Sequence, residues 1–497
     1  MGHIHALFFD ATTAITLRPV VLFAILILFF ALFVQKNSSK NLPNSPHFLH
    51  HDGRLMKTLP GDARYTRFTH GKELSKAGQA MCGDEPYLLR NKSKRDLVLH
   101  TPAQMRDFFK GDGKLHTKQQ DASMGAYFLR SLGQCVGAQN GPRWHQTRYH
   151  LEQFFSAVEA ASMITDFQRV LNNWAKTLPA NAASQQIGDR KFLTDSVEIC
   201  RQLPFRMIAM CLYGNMLTDE RFDMLWRLNK IHEKVTQYTF FGTWENMPYY
   251  HLLPTTANRV LAEYEEGWKE FNLEIISAAR KKHVLSSITH VPSCGIRRYD
   301  NGHDEILFTN IDVTSAQFAY GLINMGKSPA AGRRLYDEVS TVAVEEDEID
   351  FYARKDDTFL HKMYLEILRT NPPIWFTFPE TTAVEKRIDG FLIPAGTNVV
   401  IDTLRLNKSS PIWGNTGHEF HPERWDHITT GQARYSWLGY GMGPRKCLGK
   451  NFANIILKLF MISVSRHFTL DAGEGAVQIK RDRFTCVPEQ LVAFEQR

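Results

Sequence analysis

A cysteine near the C-terminal end of the chain lies in a loop that is rich in glycine and carries basic residues. Three glycines occupy alternate positions from 439 to 443, Arg445 follows them, and Cys447 comes shortly after. Glycine has no Cβ, so the backbone of this loop can approach a flat ligand closely. The apolar run over residues 452–462 predicts a buried helix, and the N-terminal end of a helix favours thiolate over thiol. A thiolate in such a loop is suited to serve as an axial ligand of haem iron.

The same stretch resembles the haem-binding signature of the cytochrome P450 superfamily. That signature reads aromatic, two residues, Gly, any residue, Arg, any residue, Cys, any residue, Gly; its places are held here by Tyr440, Gly443, Arg445, Cys447 and Gly449. The family usually has Phe at the first place. The resemblance implies haem b as cofactor, with Cys447 as the metal ligand and the other four residues around the porphyrin. The alternative is a buried structural cysteine, which meets these requirements by chance roughly once in several thousand cysteines.

Earlier in the chain, Trp144 and Arg148 lie four residues apart and therefore share one face of a predicted helix. In the resembled family a Trp-x-x-x-Arg on this helix hydrogen-bonds a haem propionate, so the resemblance implies that both residues bind the cofactor. An ordinary surface pair has the same spacing. The resemblance also implies that the preceding loop, roughly residues 115–135, lies over the haem and touches substrate.

Residues 306–327 are largely apolar and predict a long central helix that ends at Ser328-Pro329. The family usually shows Ala/Gly-Gly-x-Asp/Glu-Thr-Thr here, where the acid and the first Thr manage protons for oxygen activation. Asp312 holds the place of the acid. A carboxylate in an otherwise apolar helix favours a functional role over an exposed or capping one.

The rest of this motif departs from the family pattern. Asn310 stands where a helix-bulge glycine is expected, and Val313 stands where the first Thr is expected. Thr309 lies one turn before Val313 on the same face, so its hydroxyl is one candidate substitute. Thr314 is the other, if the register shifts by one residue. The predicted catalytic set is therefore Asp312, Asn310, Thr309 and Thr314.

Glu366 and Arg369 share a helix face at i, i+3, which is the spacing of a common salt bridge. The resembled family pairs this Glu-x-x-Arg with a later Arg in Pro-Glu-Arg-Phe; here that residue is Arg424, with Trp425 in place of the Phe. The resemblance implies a buried network of Glu366, Arg369 and Arg424 that holds the loop presenting Cys447. A guanidinium suits that task because it makes bidentate hydrogen bonds, which an ammonium does not.

The segment after that helix is expected to line the substrate pocket. The resemblance implies that Ile374, Trp375 and Phe376 pass beside the haem, and their character indicates an apolar or aromatic substrate. The family often has an Arg directly after the following Pro as a further propionate partner. This chain has Glu380 there, so that contact is missing or is supplied elsewhere.

The elements that must position these residues are mostly helical. Residues 150–300 read as helices with loops, and strand-like segments occur at 390–394 and 397–401. For a chain of 497 residues, length alone favours about three domains. The resemblance runs from about residue 50 to the C-terminus and implies instead one large domain with the cytochrome P450 fold, which is mainly α with a small β region.

An apolar segment precedes this domain. Residues 19–34 carry no charge, and with residues 14–17 the segment approaches the ~20 residues that cross a bilayer, while Arg18 can snorkel. A cleaved signal peptide and a buried helix are the alternatives, but no small-residue cleavage site follows. Basic residues are more frequent after the segment than before it, which places its C-terminal side in the cytosol.

These features divide the chain into an anchor, a linker and a catalytic domain. We expect the anchor over 1–36, with its transmembrane helix at about 15–34, the linker over 37–50 and the catalytic domain over 51–497. The expected location is the endoplasmic reticulum membrane, crossed once, with the catalytic domain in the cytosol. Seven scattered cysteines that form no CxxC pair agree with a reducing compartment.

Basic residues near Cys447 indicate a surface for an electron donor. Arg143, Arg148, Arg445, Lys446 and Lys450 are expected on the proximal side of the haem, where they would steer an acidic partner; haem anchoring and solvation are the alternative. The resemblance implies NADPH–cytochrome P450 reductase, so NADPH acts indirectly, and cytochrome b5 is a further candidate partner. The net charge of +7 is mild and dispersed, which gives nucleic-acid binding little support.

The leading hypothesis is a membrane-anchored haem-thiolate monooxygenase that uses dioxygen and electrons from NADPH to oxidise a small apolar or aromatic substrate. The divergent central helix and the anchor look similar to fungal secondary-metabolism members of the superfamily, including those of peptide-derived alkaloid or dioxopiperazine pathways. Val313 motivates a second hypothesis, a haem-thiolate isomerase, dehydratase or oxidative ring-coupling enzyme without net oxygen insertion. A non-catalytic haem- or lipid-binding membrane protein is the third, and the cysteine loop and Asp312 count against it.

Overall fold

The computed structural model describes residues 48–92, 94–281, 310–342 and 345–497, together with the single residues 27, 28 and 307. Within these ranges the chain is mainly helical with several small β-sheets, as the sequence predicts. The predicted transmembrane helix lies outside the described residues except for Ile27 and Leu28. No helix in the described part of the chain is both long enough and apolar enough to span a bilayer.

Helices form most of the described chain. In chain order they are α1 (Ala63–Thr69), α2 (Gly71–Cys82), α3 (Pro102–Phe109), α4 (Ala126–Ser131), α5 (Gly141–Phe154), α6 (Ala157–Ser162), α7 (Ile164–Thr177), α8 (Gln202–Tyr213), α9 (Asp219–Phe241), α10 (Thr256–Lys281), α11 (Ile311–Lys327), α12 (Pro329–Val342), α13 (Glu346–Arg354), α14 (Phe359–Thr370), α15 (Thr403–Ser409) and α16 (Lys450–His467). Short 3₁₀ turns join several of them, including Pro422–Asp426 and Gly443–Arg445.

The strands are short. They are β1 (Thr58–Leu59), β2 (Tyr87–Asn91), β3 (Lys94–Leu99), β4 (Thr117–Lys118), β5 (Gln185–Gly188), β6 (Lys191–Asp195), β7 (Glu380–Thr381), β8 (Lys386–Ile388), β9 (Phe391–Ile393), β10 (Asn398–Ile401), β11 (Phe468–Asp471), β12 (Gln478–Ile479), β13 (Pro488–Glu489) and β14 (Leu491–Gln496). Strands β9 and β10 confirm the two strand-like segments. Strands β5 and β6 lie inside the region predicted to contain only helices and loops, which corrects that prediction.

The strands pair into two main sheets and two hairpin-like pairs. The larger sheet has the order β1-β2-β3-β10-β7-β4, and the second has the order β11-β14-β6-β5. In the larger sheet β10 runs parallel to β3 and antiparallel to β7. Strand β4 forms one edge and pairs antiparallel with β7, so that Lys118 lies opposite Glu380 and Thr117 lies opposite Thr381. This pairing joins the loop before α5 to the segment after α14.

Helix α11 runs through the core and is buried along almost its whole length. It packs against α8, α14 and α16. The helix that carries Glu366 and Arg369 and the helix that follows Cys447 therefore both meet the predicted central helix. The predicted start of that helix at residue 306 lies outside the described residues, and its predicted end at Lys327 is confirmed.

Candidate active site

The loop that carries Cys447 is held by its own backbone. The amide of Cys447 donates to the carbonyl oxygen of Tyr440 at 2.7 Å. Gly441 and Gly443 have φ angles of +73° and +70°, which residues with a Cβ rarely adopt, so the turn requires glycine at both positions. Helix α16 begins at Lys450, so Cys447 lies just before the positive end of a helix, which favours the thiolate.

Cys447 lines a cavity of about 410 Å³, and its side chain is exposed there. This volume is usual for a small-molecule or cofactor site. Residues of α11, including Val313 and Phe318, line the cavity together with residues of the Cys447 loop and of α16. Trp144 and Arg148 of α5 close one end. The structure thus brings the predicted cysteine, the predicted Trp-x-x-x-Arg pair and the central helix to one cavity.

The charged end of the cavity is built around Arg445. Its guanidinium donates to the carbonyl oxygen of Gln139 and to the side-chain oxygen of Asn140, both at 2.8 Å. It also lies over the Trp144 ring, 4.1 Å from the centroid. Arg148 lines the same cavity, and its Nε donates to Glu152 at 2.7 Å. Burial lowers the pKa of Arg445, and the neighbouring charge of Arg148 acts in the same direction.

These residues fit a haem. Four cationic residues line the cavity, Lys118, Arg148, Arg445 and Lys446, and such a group is favourable when an anionic group such as a carboxylate lies among them. Apolar side chains of α11 and α16 line much of the remaining surface and suit a macrocycle. Cys447 lies in a loop that lines the same cavity, where a thiolate can reach a central metal. A propionate-bearing porphyrin satisfies all three features at once.

Two glycines of the signature have different surroundings. Gly449 lines the cavity, and a Cβ there would project into open space. Gly443 does not line it: a Cβ there would meet the ring of Phe109 at ordinary contact distance, and the residue is required for its positive φ. Gly443 therefore supports the turn, and its predicted contact with the cofactor stays a prediction.

Tyr440 lines the cavity and has a buried polar partner. Its hydroxyl lies 2.9 Å from the hydroxyl of Tyr364 on α14, and both rings are next to the Cys447 loop. Burial raises the pKa of both hydroxyls, and the nearby Cys447 thiolate also raises them. Both tyrosines are therefore neutral at physiological pH.

The predicted charge network is present and is buried. Glu366 accepts two hydrogen bonds from Arg369, at 2.9 and 2.7 Å, and one from Arg424 at 2.8 Å. It also accepts from the indole of Trp425 at 3.0 Å and from the amide of His421 at 3.0 Å. Burial alone would raise the pKa of Glu366, but the hydrogen bonds and charge of Arg369 outweigh it and hold the pKa below its ordinary value.

This network reaches the cysteine loop through one asparagine. Arg369 donates to the carbonyl oxygens of Asn407 at 2.8 Å and Gly417 at 2.6 Å. The side chain of Asn407 then accepts from the amide of Leu438, at 2.7 Å, where the cysteine loop begins. A buried carboxylate thus holds the ends of several segments that precede Cys447.

Helix α11 presents Asn310, Val313, Thr314 and Gln317 to the cavity. The hydroxyl of Thr314 donates to the carbonyl oxygen of Asn310 at 2.7 Å. Of the two hydroxyls considered from the sequence, Thr314 is thus at the cavity beside Val313. The other candidate, Thr309, lies outside the described residues.

Asp312 does not line this cavity, because it lies on another side of α11 and pairs with two arginines. Its Oδ1 is 3.7 Å from Arg201, and its Oδ2 is 3.4 Å from Arg483. Arg201 also forms an ion pair with Glu233 of α9. The carboxylate is buried but linked to partly exposed charges, so it lies between the surface and the helix that borders the cavity.

The segment predicted to shape the substrate pocket, residues 374–376, does not line this cavity. Phe376 is fully buried in an apolar cluster that includes Val98 and Val400. Trp375 packs so closely on Gly71 that a Cβ at that glycine would be 2.3 Å from the indole. Ile374 is half-buried, and like Trp375 it uses its carbonyl to accept from Thr403. Backbone pairing with the start of α15 turns the segment away, and Pro373 lines the cavity in its place.

The predicted basic surface is smaller than expected. Lys446, Lys450 and Arg143 are exposed, whereas Arg148 is buried and Arg445 is half-buried. Arg148 and Arg445 line the cavity and are less exposed than the other three residues, whereas Lys446 lines the cavity and is exposed as well. The exposed group is therefore limited to Arg143, Lys446 and Lys450.

Sequence reasoning missed one charged residue of the cavity, Lys118. It was covered only by the broad prediction that residues 115–135 form a loop over the haem. In the structure it belongs to β4 and lines the cavity. No local signal marks it, because its position depends on pairing with β7, which is distant in the sequence.

Comparisons with known proteins agree on one family. The family model described as Cytochrome P450 matches residues 82–491. The chain is 35% identical to the cytochrome P450 monooxygenase lepD of Aspergillus flavus, over 85% of each chain. It is 30% identical to opdB of Penicillium oxalicum, over 88% of this chain and 89% of the relative, and 31% identical to apdB of Emericella nidulans, over 86% and 88%. Both of these relatives are also named cytochrome P450 monooxygenases.

Proposed function

This chain belongs to the cytochrome P450 family, and we propose that it is a membrane-anchored monooxygenase of secondary metabolism that receives electrons from NADPH–cytochrome P450 reductase. The family makes it a haem-thiolate oxidoreductase with Cys447 as the axial ligand, supplied with electrons by a redox partner. The observation that carries the proposal is the exposure of Cys447 to a cavity that also holds Trp144, Arg148 and Arg445.

Haem bound through Cys447 supplies the activation of dioxygen, from which one oxygen atom enters the substrate and the other leaves as water. The residues of the chain hold the macrocycle and control protons and water. Trp144, Arg148 and Arg445 bind its carboxylates and set its orientation. The backbone amide of Cys447 donates to the carbonyl oxygen of Tyr440, and this bond helps to fix the loop that carries the sulfur.

Proton supply is assigned to α11. The Thr314 hydroxyl donates to the carbonyl oxygen of Asn310. To pass a proton it would turn this O–H toward the cavity, release that proton there and take up a replacement proton at Oγ1. Asp312 lies on the side of the helix that faces Arg201 and Arg483, where it can collect protons from solvent. In this proposal a proton passes first to Asp312, on the solvent side of α11, and then to Thr314, which lines the cavity.

The anchor and the location are part of the proposal. The apolar segment at 15–34 supports a single transmembrane helix, with the domain held at the endoplasmic reticulum on its cytosolic side. A second apolar surface follows α9, where Trp244, Tyr249 and Leu252 are largely exposed. Aromatic side chains at an exposed surface are typical of membrane interfaces. Cytochrome b5 remains a further proposed partner.

The substrate is proposed to be small and apolar or aromatic, because Val313, Phe318 and other apolar side chains line the cavity. The fungal origin of the relatives supports secondary metabolism, and a peptide-derived alkaloid or dioxopiperazine is one proposed class.

One observation favours a second function. Val313 lines the cavity where the family usually has Thr, which suits ring coupling, isomerisation or dehydration without oxygen insertion.

Labelled dioxygen separates these functions. Membranes carrying the full chain, reductase and NADPH are given a metabolite extract of the source organism, and mass spectrometry follows which compounds change, with a Cys447→Ala chain as control. Label in a new product supports monooxygenation and identifies the substrate. An unlabelled product that requires NADPH and dioxygen indicates coupling or desaturation. Turnover without either contradicts the proposal and favours the isomerase or dehydratase class.

A further inference from the structure

Lys118 and Glu380 form an ion pair at the charged end of the cavity. The ammonium is 3.2 Å from Oε2 of Glu380, with the Lys118 side chain 20% exposed and the Glu380 side chain 11% exposed. Lys118 lines the cavity beside Arg445. A carboxylate at position 380 would repel an anionic ligand, but here it faces the ammonium group and not the open cavity.

The backbone fixes the position of the pair. Lys118 in β4 lies directly opposite Glu380 in β7, which is the geometry of a cross-strand charge pair. The amide of Lys118 donates to the side-chain oxygen of Asn140 at 2.8 Å, and the amide nitrogen of Asn140 donates back to the Lys118 carbonyl at 2.7 Å. The same oxygen of Asn140 accepts from Arg445. The Asn140 side chain, which bonds to both residues, therefore sets the spacing between Lys118 and Arg445.

The second oxygen of Glu380 is also occupied. Its Oε1 is 3.1 Å from Nδ1 of His116, and Nε2 of the same ring is 3.1 Å from Asp112. Asp112 in turn pairs with Lys386. Burial would raise the pKa of Glu380, but the hydrogen bond from His116 and the charge of Lys118 outweigh it and keep the pKa below its ordinary value. Glu380 is therefore an ionised carboxylate with both oxygens engaged.

We propose that Lys118 is a cationic contact for a propionate of the bound haem, and that Glu380 is a positioning residue that holds the ammonium at the cavity. An ammonium has three N–H donors, and Glu380 takes one of them, so others can reach a ligand carboxylate. The inference rests on the haem site described above. Lys118 supplies the propionate contact that Glu380, as a carboxylate, cannot make.

The first test measures how fast haem leaves the ferric holoenzyme, by its transfer to an excess of apomyoglobin. Lys118→Met is expected to release haem on the order of tenfold faster, because a charge-assisted hydrogen bond is lost. Lys118→Arg is expected to stay close to the parent protein. Lys191→Met is the matched control, since Lys191 and Glu495 are also a cross-strand pair, at 3.1 Å, but lie in the second sheet and do not line the cavity.

The double variant Lys118→Met/Glu380→Gln separates a haem contact from a purely structural pair. If Lys118 served only to neutralise Glu380, removal of both charges would restore slow haem release. We expect release to stay fast. The assignment would be overturned if the double variant released haem at the parent rate. It would also be overturned if Lys118→Met released haem at the parent rate, or if Lys191→Met accelerated release as much as Lys118→Met. A parent protein that binds no haem would instead contradict the proposed function, so the two failures are distinguishable.

Discussion

At the scale of single residues, Thr314 is the hydroxyl to which we assign proton supply. It lines the cavity, whereas Asp312 of the same helix faces two arginines on another side. The sequence motif could not decide between Thr309 and Thr314, because the choice depends on which side of α11 meets the cavity.

Thr314→Val tests this assignment. Loss of a hydroxyl that passes protons is expected to lower product formed per NADPH by about tenfold or more and to raise peroxide release. The measurement is NADPH consumption against product and peroxide. Ser315→Ala is the control, because the Ser315 hydroxyl also bonds to a carbonyl of its own helix, at 2.5 Å, but does not line the cavity. Unchanged coupling in Thr314→Val would remove Thr314 from the proton path.

In the Tyr364–Tyr440 pair, removal of one hydroxyl oxygen is expected to change the free energy of unfolding. Tyr440→Phe leaves the buried Tyr364 hydroxyl without its 2.9 Å partner, and we expect a loss of about 1–2 kcal/mol in the free energy of unfolding. The double variant Tyr364→Phe/Tyr440→Phe is expected to recover most of that loss. Denaturant titrations measure both values; a double variant less stable than Tyr440→Phe would contradict the prediction.

The same pair predicts an alkaline effect. Unfolded tyrosine ionises near pH 10, about its ordinary pKa, whereas burial raises the pKa of both hydroxyls in the folded protein. The folded state therefore keeps protons that the unfolded state loses above pH 10, and stability falls as the pH rises. The double Phe variant is expected to show a shallower alkaline loss than the parent protein. Equal slopes would show that the pair does not titrate in this way.

At the scale of elements, the buried carboxylate of α14 holds the segments that precede the cysteine loop. Glu366→Gln removes the one carboxylate that both Arg369 and Arg424 pair with and leaves two buried positive charges without a counter-charge, so we expect a loss of about 3–5 kcal/mol in the free energy of unfolding, together with lower haem content. Glu423→Gln is the control: the exposed Arg334–Glu423 pair has a similar 3.0 Å contact and is expected to contribute about 1 kcal/mol or less. Equal losses in the two variants would contradict a special role for the network.

Elements also show what the sequence could and could not predict. The i, i+3 spacing of Glu366 and Arg369 was enough to predict their pairing, and the apolar run after Cys447 was enough to predict its helix, whereas the link to Arg424 was implied by the family resemblance. Lys118 and Glu380 meet only because β4 pairs with β7, and no local pattern encodes that pairing. Trp375 was misplaced for a related reason: aromatic character indicates burial, but contact with Gly71 of α2 decides where it is buried.

At the scale of the whole molecule, exposed charge determines how an electron donor approaches. Lys446 and Lys450 lie at the exposed end of the cysteine loop and the start of α16. Reversal of both charges, Lys446→Glu/Lys450→Glu, is expected to slow reduction by the reductase about tenfold at low salt, and less at high salt; because Lys446 also lines the cavity, the rates are compared per bound haem. Stopped-flow reduction measures the rate.

A matched charge reversal checks this prediction. Lys72 and Lys76 are exposed on α2, one turn apart, and Lys72→Glu/Lys76→Glu changes the net charge by the same amount. That variant is expected to be reduced at nearly the parent rate. Equal rates in both charge-reversed variants and the parent would rule out a docking surface at the cysteine loop.

We propose that Cys447 presents a thiolate to haem in the cavity that α11 lines, and the absorption spectrum of the reduced protein with carbon monoxide tests this ligation. The parent protein is expected to show the red-shifted band of thiolate-ligated haem, and Cys447→Ser is expected to lose that band even where haem is retained. A parent spectrum typical of histidine-ligated haem, or a Cys447→Ser spectrum identical to the parent, would contradict the assignment.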